Sequence, residues 1–355
     1  MIYSALNLEI GSMVSHPADT HPYAQDATSF KKETAGLSNP LSHFQVAQFR
    51  FFCKALTEII LPPYKGSAFR GGFGHALKKA VCTVEHKICE RCLLRTHCLY
   101  PYIFETALSL ADPAPEPARD LPRPFVLIPP LDNKRLYDPG EVFTCDLILI
   151  GKAIELLPYF VHTMDQLGQR GLGRALGQFT IDKVESIRPD APPKEIYSGQ
   201  DNKLADPGPP ILIDRTLPLL KVPMKEITID FLTPVRLKSQ EHLTDQPEFA
   251  VFFSRLLDRI SALSRYHHDI PLEVDFKGLK SLAEHVQIQS SQTDWYDWER
   301  YSNRQQTRMK MGGLLGTVTY EGDIKPFLPF LALGEYVHVG KGATFGLGRY
   351  EVRAK

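Results

Sequence analysis

Four of the chain's six cysteines fall within seventeen residues, Cys82, Cys89, Cys92 and Cys98, in the pattern C-x6-C-x2-C-x5-C. The two-residue gap between Cys89 and Cys92 lets both thiolates turn onto one ion, and Zn²⁺ takes four such ligands tetrahedrally at about 2.3 Å. A closed four-cysteine shell leaves no open coordination position. Zinc here would therefore be structural, pinning a loop with little core of its own. His86 and His97 stand nearby as substitute ligands. An iron–sulfur cluster uses the same thiolates, so the spacing indicates a metal more firmly than it names one. Six cysteines in 355 residues are too few for a disulfide scaffold.

A second constellation is Gly340, Gly342, Gly346 and Gly348, with Lys341 among them. Glycines allow close backbone approach, so successive N–H groups can converge on an anion. No Gly-Lys-Ser/Thr ends the run and a strand follows it, which excludes a Walker loop and a dinucleotide fingerprint. The third is the stretch 299–310, with Arg300, Arg304, Arg308 and Lys310 against Glu299, and Trp295, Tyr296, Trp298 and Tyr301 alongside. Guanidinium groups for phosphates and aromatic faces for unstacked bases are the chemistry of RNA contact. Lys65, Arg70, Lys78 and Lys79 add charge around the first expected helix, and Arg170 and Arg174 around a middle glycine-laced stretch. Two histidines accompany these motifs: His75 on that helix, and His338 immediately before the terminal glycine loop. An imidazole titrates near neutrality and can pass a proton to or from a reacting oxygen.

The length exceeds the usual ceiling for one hydrophobic core, so two domains are expected. Lys plus Arg and Asp plus Glu are both 41, for zero formal net charge. That excludes a polybasic tail protein and an acidic solvating chain; attraction for a polyanion must come from how charge is arranged. A hydrophobic content of 43% with 10% aromatics excludes wholesale disorder. No apolar run approaches the ~20 residues that span a bilayer. Residues 1–17 show no basic region followed by an apolar one, so the chain reads as cytoplasmic with no membrane partner.

Strands are predicted at 44–52, 125–128, 142–150, 177–184, 225–231, 313–320 and 349–353, with apolar residues on alternate positions at the start of 44–52 and along 225–231. Three-and-four spacing predicts a helix from about 65 to 80, capped by Ser67 and burying Phe69, Phe73, Ala76, Leu77 and Ala80, and further helices at 153–167, 249–266 and 324–333. Pro, Asp, Gly and Lys make 189–210 the best linker candidate. The expected organisation is a leader (1–42), a first domain (43–188) with a cysteine insertion (82–98), a linker or long loop (189–224) and a second domain (225–355). Each half runs strand, helix, strands, helix, glycine loop, strand, which is an α+β protein of two similar lobes.

Several stretches together resemble the RAMP-superfamily endoribonucleases that process CRISPR precursor RNA. They are Leu61-Pro-Pro-Tyr-Lys-Gly-Ser-Ala-Phe-Arg-Gly-Gly-Phe-Gly-His-Ala-Leu77, the cysteine cluster running into Tyr100-Pro-Tyr-Ile-Phe-Glu105, the glycine-laced stretch 167–173, Phe231-Leu-Thr-Pro-Val-Arg-Leu-Lys238, Arg300-Tyr-Ser-Asn-Arg-Gln305 and His338-Val-Gly-Lys-Gly-Ala-Thr-Phe-Gly-Leu-Gly348. The resemblance covers about residue 44 to the C-terminus and implies tandem ferredoxin-like, RRM-like domains. It implies cleavage of CRISPR repeat RNA without a catalytic cofactor: a 2′-hydroxyl attacks the adjacent phosphate, leaving a 2′,3′-cyclic phosphate and a 5′-hydroxyl, and it is compatible with retention of the product. It implies RNA contact by Gly340, Lys341, Gly342, Gly346 and Gly348. Its catalytic histidine, on or beside the first helix, corresponds to His75; His338 is the rival candidate, and Lys78 or Lys79 a candidate stabiliser of the phosphorane. The cysteine cluster reads as a subgroup's insertion. The alternative the resemblance leaves is a non-catalytic RAMP subunit that holds guide RNA among other CRISPR effector subunits.

Overall fold

Large apolar side chains on alternate positions build the first sheet. In β1 (Gln45–Ala55), Phe49, Phe51 and Cys53 are fully buried, while Gln48, Arg50 and Phe52 between them are half-buried. The structure, a computed structural model, describes residues 39–84, 88–109, 121–213, 225–239, 242–302 and 307–354. The leader lies outside these residues except for its last four positions.

After β1 come α1 (Gly66–Val81), β2 (Phe125–Ile128), β3 (Val142–Ile150), α2 (Leu157–Arg170) and β4 (Phe179–Arg188). These strands pair antiparallel in the order β2-β3-β1-β4, and β5 (Ala191–Ser198) adds beyond β4. The second lobe repeats the scheme with β6 (Glu226–Val235), α3 (Phe249–His267), the short α4 (Phe276–Ala283) and β7 (Gln287–Tyr296). A hairpin of β8 (Glu299–Ser302) and β9 (Thr307–Lys310) follows, then β10 (Gly313–Glu321), α5 (Leu328–Val337) and β11 (Tyr350–Ala354). Its sheet runs β7-β10-β6-β11, also antiparallel. Both lobes thus write β-α-β-β-α-β with the first strand between the third and fourth. The fold is a tandem of ferredoxin-like domains.

The two lobes share apolar packing. One face of the first sheet, including Phe49, Phe125 and Leu149, packs with Phe73, Phe160 and Met164 of α1 and α2. Its other face presents Val46, Val126, Ile148 and Ile150 to the cluster that holds α3, α5 and the second sheet. Burying a side chain of this size is worth about 1.5–3 kcal/mol, so the seam holds the lobes in one arrangement. Histidines finish its edge: His43 Nε2 lies 2.7 Å from Ser264 Oγ, His268 Nε2 accepts from the Gln45 amide, and His267 donates to the Pro122 carbonyl. Among the described residues, no helix is long and apolar enough to cross a membrane.

Three expectations need correction. Residues 191–198 are a strand rather than linker; Pro192 and Pro193 stand where the β4–β5 register shifts, a place in a sheet that tolerates proline. Ser67 lies inside α1 and caps nothing, because the cap position belongs to Lys65. Lys65, expected to touch RNA, is only 1% exposed: its Nζ donates to the Pro130 carbonyl at 3.2 Å and to the Asp132 carbonyl and carboxylate at 2.5 and 3.1 Å. A buried ammonium with three acceptors is a structural staple between α1 and the chain reversal after β2. Lys65→Ala strands those acceptors and should lower unfolding stability in urea by about 1–3 kcal/mol. The salt dependence of RNA affinity should stay that of the parent, since this charge faces inward. A reduced salt slope at unchanged stability would return Lys65 to the RNA-binding set.

Candidate functional site

A cleft of about 2420 Å³ opens between the lobes, walled by α1, the turn after α2, α3, the base of the hairpin and the glycine loop. Ten of its lining side chains are Lys or Arg and four are Asp or Glu. In a chain of zero net charge, this local surplus is the arrangement that attracts a polyanion.

The α1 wall is a strip of one helical face: Ser67, Arg70, Gly71, Gly74, His75 and Lys78. The burial of Phe69, Phe73, Ala76 and Leu77 against the sheet turns this strip outward. His75 is exposed and makes no hydrogen bond among the described residues. Gly71 leaves the wall bare beside it, for a Cβ there would meet nothing within 4 Å. Lys78 lies over the Tyr100 ring at 4.9 Å. Arg70 stands 4.9 Å from both Phe104 of the first lobe and Phe345 of the glycine loop, its guanidinium held between aromatic faces contributed by the two lobes.

Gly340, Gly342, Gly346 and Gly348 all take positive φ, between 74° and 89°. Gly340, Lys341 and Gly342 line the cleft, whereas Gly346 backs onto Leu127–Pro129 and Gly348 onto Val339. Several loop amides already have acceptors: Lys341 N–H donates to the Arg236 carbonyl, Phe345 to Gly342, Gly346 to Ala343, and Gly348 to Pro234. The loop therefore clamps itself to the second lobe, and these N–H groups are not a free cradle for an anion. It also leans on the first lobe, where Tyr64 hydroxyl donates to the Phe345 carbonyl at 2.8 Å.

His338 is placed differently from His75. It is fully buried, at φ 61°, and its Nδ1–H donates to the Leu347 carbonyl at 3.0 Å. The positive φ after α5 swings the ring inward, so no phosphate in the cleft reaches it. Its catalytic candidacy is corrected to a role in holding the loop. Burial, helped by the charges of Arg349 and Arg259, pulls its pKa down to about 3. Between pH 6.5 and 3 the unfolded chain then takes up a proton that the folded chain refuses, so stability falls as pH falls. His267, lowered to about 4 by burial, acts in the same direction. Melting temperature should therefore drop between pH 7 and 5, and His338→Asn, which keeps a donor for Leu347, should flatten that slope. An unchanged slope would show that His338 is protonated in place.

The hairpin is rooted by Trp298 and Met311, packed with Leu347, Tyr64 and Phe345; the Trp298 and Tyr64 rings are 4.6 Å apart. Trp298 is thus core, whereas Trp295 and Tyr296 are 38% and 40% exposed. Arg300 and Arg308 sit on the hairpin strands, paired with Met309 and Tyr301, and Arg304 lies outside the described residues. The α3 wall carries cations of its own, and those on the helix itself belong to no motif read from the sequence. Arg255, Arg259 and Arg265 face the cleft, with Arg236 and Lys238 just before α3, and Arg123 from the first lobe.

Cys82, Cys89, Cys92 and Cys98 all line one small cavity of about 30 Å³ near the end of α1. Their donor chemistry suits zinc. Yet among the described residues no three His, Cys, Asp or Glu side chains already stand as a ligand set, and burial pushes the Cys89 thiol up to about 11. His97 is exposed and bonded to Thr96, and His86 lies outside the described residues.

Known proteins share both lobes of this architecture. Residues 44–209 match an N-terminal domain family, AF_1859_N, and residues 229–350 match the CRISPR-associated endoribonuclease Cas6. An uncharacterized protein of Archaeoglobus fulgidus is 27% identical over 298 residues, covering 83% of this chain and 93% of that one. A Cas6 product complex superposes with a TM-score of 0.51 at 15% identity, over 87% of this chain and 100% of the other. Thermus thermophilus Cas6 gives 0.50 at 14%, over 87% and 99%. A partial Cas6-RT-Cas1–Cas2 complex gives 0.53 at 13%, over 88% of this chain and 47% of that one. The chain therefore has the fold of these Cas6 structures, and residues 229–350 match the model of the CRISPR-associated endoribonuclease Cas6.

Proposed function

We propose that this protein cuts CRISPR repeat RNA in precursor transcripts by metal-independent attack of a 2′-hydroxyl on the adjacent phosphate, giving 2′,3′-cyclic phosphate and 5′-hydroxyl ends. The Cas6 match supports a role in repeat-RNA processing. The observation that carries the finer reading is the exposed imidazole of His75 on a glycine-bared strip of α1, in a cleft of ten cations and four acids shared with the glycine loop. His75 can take the proton of the attacking hydroxyl or give one to the leaving 5′-oxygen. Arg70 and Lys78 on the same strip, with Lys341 across from them, favour the extra negative charge of the phosphorane. Incubation with a repeat transcript in EDTA should give site-specific product with a 5′-hydroxyl, and a 2′-deoxy residue at the cut should block cleavage while sparing affinity. Cutting of the deoxy substrate, or silencing by chelation, overturns the mechanism.

One observation favours a second reading, a non-catalytic subunit that holds guide RNA with other CRISPR effector subunits. His75 has no hydrogen-bonded partner to orient it among the described residues, and an acid–base histidine usually has one. Tight repeat binding without product identifies that case. The four cysteines enter either reading as scaffold, with zinc held by Cys82, Cys89, Cys92 and Cys98 stapling a segment whose Leu93 is 97% exposed. Elemental analysis should find one zinc per chain, lost in Cys89→Ser/Cys92→Ser. Iron in its place would identify a cluster, and neither metal overturns the site.

A further inference from the structure

Arg259 lies on the cleft-facing strip of α3, one turn after Arg255 and about two turns before Tyr266. Its Nε–H donates to the Val337 carbonyl at 2.8 Å. Val337 ends α5, whose last carbonyls lack partners within the helix and carry its negative pole, so a guanidinium suits this end. The rest of the guanidinium has no such use. Nη2 has no hydrogen-bond partner although it is covered, and no ion pair of Arg259 is found among the described residues. The groups that move its pKa are consistent with this: burial and the neighbouring Arg123 guanidinium lower it to about 10, with no carboxylate opposing them. Arg123 also lines the cleft, anchored through its Nε to the Phe104 carbonyl at 3.1 Å.

The covered Nη2 of Arg259, a charged donor with no acceptor, is unfavourable until an anion reaches it. The planar fork suits two oxygens of one tetrahedral group, and the surplus of cations around it favours a polyanion over a single carboxylate. We propose that Arg259 and Arg123 together grip one RNA backbone phosphate on the α3 wall of the cleft. This rests on the reading above that RNA fills the cleft, and adds where one phosphate is held. The subsite is also tied to the glycine loop: the guanidinium that takes the phosphate holds Val337, the residue before His338 and the loop. Arg259 is thus a positioning residue as well as a contact.

The test uses the full chain and a repeat RNA, with affinity measured from about 50 to 200 mM salt. Each phosphate that the protein no longer neutralises should lower the slope of log affinity against log salt by roughly one. Arg259→Gln should weaken binding about tenfold or more with that fall in slope. Arg123→Gln, which leaves the Val337 carbonyl paired with Arg259 but gives up the bond to the Phe104 carbonyl, should show the same fall in slope whatever its melting temperature, and the double variant should lose less than the two singles together. Lys277→Gln, an exposed charge outside the cleft, is the control. Parental slopes in both arginine variants overturn the subsite, even if Arg259→Gln melts earlier, since a purely structural arginine would change melting alone. A parent chain with no salt-dependent affinity for RNA would instead overturn the functional reading. Inorganic phosphate, added as competitor, should weaken RNA binding in the parent more than in the variants; equal competition in both also counts against the subsite.

Discussion

His75→Ala should lower cleavage of repeat RNA by about 10²–10⁴-fold while leaving its affinity close to that of the parent. The imidazole is exposed on the strip of α1 that faces the cleft and bonds to nothing in the described chain, so its removal leaves no cavity and breaks no hydrogen bond. A stability change is therefore not expected, and a loss of rate reads directly on chemistry. His338→Ala should behave in the opposite way. It removes a buried ring and the bond to Leu347, so it should lower melting temperature first and activity only as the loop loosens. Single-turnover rates at saturating enzyme, beside binding curves and melts of both variants, separate the two. A His75→Ala protein that cuts at the parental rate removes this residue from the chemistry. Equal losses of rate in both variants, without loss of stability in His338→Ala, would restore His338 as a reacting group.

The tandem fold was legible because each lobe opens on a strand with apolar residues at alternate positions, adds short apolar runs such as 125–128 and 147–150, and writes its main helices as three-and-four stripes. Phe49, Phe51 and Cys53, or Phe252, Leu256 and Leu263, need no tertiary information to be placed inward. The site was legible only in part. His75 could be placed because the apolar stripe of α1 fixes which way the opposite face points. Lys65 could not: what buries it is the chain reversal at Pro130–Asp132, more than sixty residues away. His338 stands next to the glycine loop in sequence, but one left-handed residue turns it from the cleft into the core. The arginines of α3 went unread for a related reason. Arg255, Arg259 and Arg265 on the polar side of an amphipathic helix look like a solvated face, and only the packing of α3 against the first sheet makes that face a wall of the cleft. Composition carries no such signal, since the acids that neutralise the chain lie mostly elsewhere.

Gly66→Ala should disable the protein although alanine is the better helix former. Gly66 opens α1, and a Cβ there would overlap the Phe345 carbonyl oxygen and stand 2.7 Å from the Tyr64 ring. The backbone of the glycine loop rests on the start of the helix that carries His75, and Tyr64 hydroxyl bonds the same carbonyl. Adding a methyl must push the loop off the helix, and backbone yields less readily than a side-chain tip. The expected cost is about 2–3 kcal/mol in urea unfolding, and roughly 10²-fold in cleavage where groups near the phosphate are displaced by an ångström. Gly71→Ala, further along the same helix, is the matched comparison. Its Cβ meets nothing, so the helix should gain up to about 1 kcal/mol. Any loss of RNA affinity there reports a ligand lying against the bare strip. If Gly66→Ala proves as stable and active as Gly71→Ala, the seating of the loop on the helix does not align the two halves of the site, and the cleft must be held together by the apolar seam alone.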